Sequence, residues 1–256
     1  MPGHRLEAAR ALVQATRARR GALCVLTGAG MSAESGIATF RDALTGLWSR
    51  FDPAELASEE GFRAHPQRVW DWYAERREGV RRAEPNAGHY ALAGFARRWP
   101  GTLVLVTQNV DDLHQRAGNT DAIRLHGDIL ADRWLQRCLR RGGCGTDTAA
   151  AGRPPSCAEC GNLLRPGVVW FGEELPAPAL DAARDAAQRC SVMLAVGTSG
   201  AVWPAAGLVG QARQQGAQVL IVNPAPSEID EQAHAVLRGT AAQLLPALLD
   251  EPRSGP

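Results

Sequence analysis

The sequence contains no lysine, so all 28 of its basic side chains are arginine and the interior offers no ε-amino group for chemistry or modification. It also lacks any apolar run near the roughly 20 residues a membrane helix needs, and no membrane partner is expected. Charge of one sign is missing as well: 28 basic and 27 acidic residues leave a net charge of +1. That balance supplies no overall field to hold nucleic acid. Arg76, Arg77, Arg81 and Arg82 form a local basic run, and most of them are expected on a solvated helix face. Residues 1–20 carry arginines and Glu7 but no apolar stretch ending in a small-residue cleavage site, so an amphipathic first helix of a cytoplasmic protein is expected. Cysteine is sparse, with six in the chain, and no disulfide framework is expected without a secretion signal. Four of the six fall between Cys138 and Cys160, which points to a metal; Cys24 and Cys190 sit in apolar stretches as core thiols.

What is present is an alternating pattern. Residues 21–27 (GALCVLT), 102–107 (TLVLVT), 191–197 (SVMLAVG) and 218–223 (QVLIVN) are short apolar runs ending at Gly or a polar residue, as buried parallel strands do. Helical patterns fall between them at 86–98, 178–189 and 205–215. Strands alternating with helices imply a parallel sheet covered on both faces, with its ligand crevice at the carboxyl ends of the strands. A chain of 256 residues has room for one such domain and a smaller insertion. Two segments interrupt the alternation: 42–85, rich in Trp, Arg and Glu at helical spacing, and 131–166, which holds the cysteine cluster among Gly, Pro and Arg. The expected division is a Rossmann-like α/β domain from 1–41, 86–130 and 167–256, with a smaller helical and zinc-binding domain from 42–85 and 131–166.

Gly28, Ala29, Gly30, Met31, Ser32 and Ala33 satisfy the dinucleotide pattern G-x-G-x-x-G/A directly after the first strand, where backbone N–H groups and a helix N-terminus can receive a pyrophosphate. A dehydrogenase of the usual kind places an acidic residue at the end of a second strand about 20 residues on. Residues 46–50 (GLWSR) are neither acidic nor strand-like, which argues against hydride transfer. The wider run GAGMSAESGIATFRD at 28–42 resembles the signature of the sirtuin family at every fixed position, and the blocks TQNVDDLH at 107–114, AG at 117–118, LHG at 125–127, GTS at 197–199 and VNP at 222–224 follow in the family's order.

The resemblance covers residues from about 21 to 246 and implies an NAD-consuming enzyme that removes acyl groups from lysines of proteins or peptides. In that chemistry the acyl carbonyl attacks the anomeric carbon of NAD, nicotinamide leaves, and hydrolysis ends in free lysine and O-acyl-ADP-ribose. It implies that His126 is the catalytic base, with Asn109 beside it in the reaction; a neutral imidazole can take a proton from a ribose hydroxyl near pH 7. It further implies that NAD meets Gly28, Ala29, Gly30, Ser32, Ala33, Thr39, Phe40, Arg41, Gln108, Asn109, Asp111, Gly197, Thr198, Ser199, Asn223 and Ala241. Val169, Phe171 and Gly172, within the stretch VVWFGE at 168–173, correspond to a strand that pairs with an extended peptide, and the loop carrying Val202 and Trp203 to its opposite edge. Tyr73 and Arg76 stand where class III sirtuins, which remove acidic acyl groups such as succinyl, carry Tyr-x-x-Arg. At i and i+3 the phenol and guanidinium share a helix face and can reach one carboxylate. Lacking lysine, such an enzyme cannot be its own substrate through an internal residue.

Cys138, Cys144, Cys157 and Cys160 can surround a structural zinc, and the last pair has the C-x2-C spacing of a knuckle. The first pair departs from the family, because Arg141 stands where the partner of Cys138 is expected; a degenerate, metal-free loop is the alternative. The other functions weighed are a plain deacetylase, a mono-ADP-ribosyltransferase and a non-catalytic NAD-binding module. A binding module has no use for a general base, so His126 with Asn109 and Asp111 favours an enzyme. Oligomeric state is not read from the sequence.

Overall fold

The computed structural model describes residues 2–17, 19–38, 52–137, 143–144, 149–150 and 152–250. In chain order these form α1 (Pro2–Ala15), β1 (Leu23–Thr27), α2 (Pro53–Leu56), α3 (Glu59–Ala64), α4 (Pro66–Arg82), α5 (Ala87–Arg98), β2 (Leu103–Thr107), α6 (Leu113–Arg116), β3 (Ile123–Arg124) and β4 (Gly127–Trp134). There follow β5 (Ala149–Ala150), β6 (Ser156–Cys157), β7 (Leu164–Val168), α7 (Ala177–Arg189), β8 (Val192–Val196), α8 (Gly207–Gln214), β9 (Gln218–Val222), β10 (Ala235–Leu237) and α9 (Ala241–Leu249). Contacts divide the chain into two compact units, one of Met1–Thr39, Ala83–Leu125 and Leu175–Pro256, the other of Phe40–Arg82 and His126–Glu174.

The first unit is a six-stranded parallel sheet in the order β10-β9-β8-β1-β2-β3. Its central strands carry apolar side chains in both directions. Leu23 and Val25 of β1 join the core formed with α1, α5 and α9, while Cys24 and Leu26 point to the opposite core with α7 and α8. That two-sided burial is why these strands read as continuous apolar runs rather than alternating ones. The four expected strands are all present. The edge strands β3 and β10, two and three residues long, carry no such run, since each is only partly buried. Cys24 and Cys190 are buried core thiols as expected, lying against one another. Helix α5 begins where the sequence dictates: the Asn86 side chain accepts from the N–H groups of Gly88 and His89, and His89 Nδ1 accepts from the Asn86 N–H. Such caps stabilise a helix by about 1 kcal/mol.

The second unit packs α2, α3 and α4 with the antiparallel pair β4 and β7 around Phe62, Trp72, Tyr73, Ile129 and Trp170. Here the expectation that most of the four arginines lie on a solvated face needs correction, because only two of them do. Arg81 and Arg82 are exposed and reach Glu78, but Arg77 is buried. Its Nε donates to the Ile129 carbonyl at 2.5 Å and its guanidinium to the Ala131 carbonyl at 3.1 Å and to Asp132. These are carbonyls of the irregular stretch of β4, where the ladder to β7 shifts register between Asp128 and Asp132. A bulge leaves backbone groups unpaired, and Arg77 satisfies them. Arg76 also turns inward, its guanidinium carbon 4.6 Å from the Trp72 ring centroid. Among the described residues no helix is long and apolar enough to cross a membrane.

Candidate active site

The sheet delivers the expected NAD residues to one edge, the carboxyl ends of its strands. Gly28, Ala29, Gly30, Ser32 and Ala33 follow β1; Gln108, Asn109 and Asp111 follow β2; Gly197, Thr198 and Ser199 follow β8; Asn223 follows β9; Ala241 opens α9 just beyond β10. They are tied to each other. Gln108 Nε2 donates to Thr198 Oγ1 at 3.1 Å, and Asn223 Nδ2 to the Thr198 carbonyl at 2.9 Å. Ser199 fixes its own turn, its Oγ accepting from the Ala201 N–H. Thr39, Phe40, Arg41 and Cys138 lie outside the described residues.

The glycines at 28 and 30 serve a purpose the motif did not disclose. The turn after β1 runs into two short 3-10 helices, 29–31 and 33–35, rather than an α-helix. The Gly28 N–H donates to the Val196 carbonyl and the Gly30 N–H to the Gly197 carbonyl, while those of Met31 and Ser32 close the turn on Gly28 and Ala29. A Cβ on Gly28 would lie 2.8 Å from the Gly197 oxygen, and one on Gly30 would lie 2.8 Å from the Gly197 Cα. Glycine is therefore required for two backbone turns to touch, and these four amides are engaged within the protein.

Beneath Asn109 lies a buried polar chain that the sequence did not announce. Thr27 and Thr107 end β1 and β2 in register, and their hydroxyls hydrogen-bond at 2.8 Å. Thr107 Oγ1 also accepts from the Asn109 N–H at 3.0 Å, and Thr27 Oγ1 contacts His114 Nε2 at 3.0 Å. On the other side, Asn109 Nδ2 donates to Ser32 Oγ at 3.1 Å, and Ser32 Oγ donates to Asp111 at 2.9 Å. Burial raises the Asp111 carboxyl above its ordinary pKa, with the Leu113 N–H and the Ser32 hydroxyl opposing that rise. The only hint in the sequence was a pair of apolar strands that both end in threonine.

His114 and His89 are both buried, and their rings lie 4.8 Å apart. Burial lowers the pKa of His89 to about 4 and, together with repulsion from His89 and Arg124, that of His114 to about 3. In an unfolded chain both would titrate near 6.5. The unfolded state therefore binds more protons between the two ranges. Their contribution to stability is complete above about pH 6.5 and is lost as pH falls toward 4 and 3. Two such groups give a slope approaching about 2.7 kcal/mol per pH unit in that window. Thermal melts from pH 7.5 to 5 should show falling stability, and His114→Gln should flatten the dependence by nearly one proton. An unchanged slope in the variant contradicts the assignment.

In the second unit His126 immediately precedes β4, with its carbonyl accepting from the Val169 N–H at 2.9 Å. The expected peptide-pairing strand is shorter than read, because β7 ends at Val168 and residues 169–173 run on outside it. The Phe171 N–H donates to the Ala57 carbonyl, the Phe171 side chain is exposed, and Gly172 turns the chain with φ 84°. Under this loop Glu173 accepts from the Trp170 N–H and from buried Arg165, whose guanidinium stacks on the Trp170 ring. Burial would raise the Glu173 pKa, but Arg165 and the Trp170 N–H hold it below the ordinary value. Trp170 Nε1 in turn donates to Tyr73 Oη at 3.0 Å. Tyr73 and Arg76 are close enough for each to oppose the other's burial-driven shift, upward for the phenol and downward for the guanidinium.

The sulfur atoms of Cys144, Cys157 and Cys160 all lie within 4.8 Å of one another, with Cys144 Sγ 3.4 Å from Cys160 Sγ. Thiolates around a tetrahedral zinc, each about 2.3 Å from the metal, sit about 3.8 Å apart. The donor set fits that ion.

Residues 28–204 match the Sir2 family. A curated relative from Ralstonia nicotianae, an NAD-dependent protein deacylase, is 57% identical over 225 residues, covering 88% of this chain and 89% of its own. Among solved structures, a Sir2 homolog–NAD complex superimposes with a TM-score of 0.80 at 42% identity, covering 93% of this chain and 91% of that one. Sir2Tm bound to a propionylated peptide gives 0.75 at 29% identity, covering 91% and 94%. With its parallel sheet, its glycine turn and the polar cluster after β2, this chain belongs to the Sir2 family.

Proposed function

We propose that this Sir2-family chain, an NAD-dependent protein-lysine deacylase, acts best on lysine acyl groups that end in a carboxylate, succinyl and malonyl above acetyl. NAD, when bound, supplies the electrophilic ribose carbon and the ADP-ribose that accepts the acyl group. The cluster of Ser32, Asn109 and Asp111 offers short polar side chains to hold a carboxamide, and the turns at 197–199 and 223 suit the adenosine side. His126 is the base that removes a proton from a ribose hydroxyl through its imidazole.

The observation that carries the acyl preference is the pair on α4. Arg76 holds a positive charge against Trp72 where burial already lowers its pKa. Tyr73 Oη accepts from Trp170 Nε1, which leaves its own proton to donate. A cation and a hydroxyl donor in aromatic surroundings attract a carboxylate and offer little to a methyl group. The test is a set of peptides identical but for acetyl-, malonyl-, succinyl- or glutaryl-lysine. A higher kcat/KM for the acidic acyl groups supports the reading, and an acetyl peptide turned over best rejects it.

The same reading includes one structural zinc on Cys144, Cys157 and Cys160, with Cys138 as the fourth ligand. Four thiolates leave no open position, so the ion would fold the second unit and take no part in the reaction. Purified protein should hold about one equivalent of zinc, and Cys157→Ser should lower the melting temperature. A content below about half an equivalent contradicts the site.

A further inference from the structure

We propose that the turn from Asn86 to His89, together with His114, is a positioning device that sets both walls of the NAD pocket without touching the ligand. The proposal rests on the reading that Ser32, Asn109 and Asp111 line that pocket. One wall is held by Asn86, whose Nδ2 donates to the Met31 carbonyl at 2.9 Å and to Ser35 Oγ at 3.0 Å. These are residues of the turn that carries Ser32. The opposite wall is held by the histidines through the two threonines.

Proton counting gives the chain its direction. The Asn86 N–H donates to His89 Nδ1, so the neutral His89 ring carries its proton on Nε2. If Thr27 donates to Thr107, its single proton is used, and His114 Nε2 must be the donor to Thr27, which leaves His114 Nδ1 as an acceptor. In the reverse arrangement Nδ1 of His114 would carry the proton. His89 Nε2 and His114 Nδ1 are both buried with no hydrogen-bond partner among the described residues, on rings 4.8 Å apart. The first arrangement sets a donor beside an acceptor, and the second sets two donors together, so the first is favoured. The order is then Asn86 N–H to His89, His89 beside His114, His114 to Thr27, and Thr27 to Thr107, where the Asn109 N–H also ends. Burial keeps His114 neutral, and repulsion from the neighbouring Arg124 adds to it. A second proton on His114 would turn its acceptor into a donor against His89 Nε2.

The test uses the whole 256-residue chain, with NAD varied at saturating acyl-lysine peptide and, separately, peptide varied at saturating NAD. Wild type is compared with His114→Phe, His114→Gln, Thr107→Val, Asn109→Ala and the double variant that combines His114→Phe with Asn109→Ala. His114→Phe and Thr107→Val should lower kcat/KM for NAD by about tenfold or more, since small misplacements near a reacting group carry losses of that size, while KM for peptide stays near wild type. His114→Gln, whose amide N–H can still reach Thr27 Oγ1, should recover much of the loss. On the Asn109→Ala background the His114→Phe change should cost little more, because the two act through one chain. Additive losses, or equal losses for NAD and peptide, overturn the proposal in favour of a purely structural role. If His114→Phe does not fold, Thr107→Val completes the same cycle. Wild-type values for Thr107→Val and His114→Phe, with Asn109→Ala impaired, overturn the positioning role alone. Wild-type kcat/KM for Asn109→Ala overturns the pocket reading beneath it.

Discussion

Replacing His126 by alanine is expected to lower deacylation by about 100- to 10,000-fold, the usual worth of a general base, while NAD binding persists. The local structure makes this a clean experiment. The backbone at His126 is fixed by the Val169 N–H on its carbonyl and by Gly127, which takes φ 82° with the Gly167 oxygen so close that a Cβ would lie 2.2 Å from it. Neither of these two restraints uses the imidazole. Isothermal titration with NAD and a melting curve separate loss of chemistry from loss of structure. A variant that keeps half the wild-type rate removes His126 from the mechanism.

Arg76→Met should cut kcat/KM for a succinyl peptide by about 30-fold or more, because losing one partner of a buried charged hydrogen-bonded pair costs about 2 to 5 kcal/mol. The acetyl peptide makes no use of the guanidinium and should change little, or improve as a buried cation is removed. Methionine keeps the length and an apolar stem while removing the guanidinium that lies over Trp72. Tyr73→Phe should act in the same direction with a further consequence, since Trp170 Nε1 loses its acceptor and a buried N–H left unpaired costs about 1 to 3 kcal/mol of stability. Equal loss on both peptides for Arg76→Met assigns the residue to the fold and removes the acidic-acyl preference.

The parts of this molecule that were legible in the sequence are those written in short runs. The central strands are buried on both faces and so read as uninterrupted apolar stretches, whereas β3 and β10 are too short and too exposed to leave a signal. Asn86, at the start of the expected 86–98 helix, caps α5 with a partner three residues on, whereas α9, capped by Thr240 in the same way, was not among the expected helices. The glycine turn was legible as a motif but not in its reason, because the backbone it must approach lies near residue 197. Interactions across long separations were illegible for the same cause. Arg77 completes β4 from 52 residues away, Tyr73 meets Trp170 across 97, and Thr27 meets His114 across 87. Periodicity gave Arg77 a place on a helix; only the packing of that helix showed that it faces a bulge rather than water.

The most direct measurement of the central claim is the product balance of a single reaction with NAD and a succinyl-lysine peptide, followed by mass spectrometry. Because the chain contains no lysine, every free lysine side chain that forms belongs to the peptide. The account predicts one nicotinamide and one O-succinyl-ADP-ribose for each lysine released, and no release when NAD is left out. Lysine released without NAD, or a peptide that keeps its acyl group and gains ADP-ribose, would contradict it.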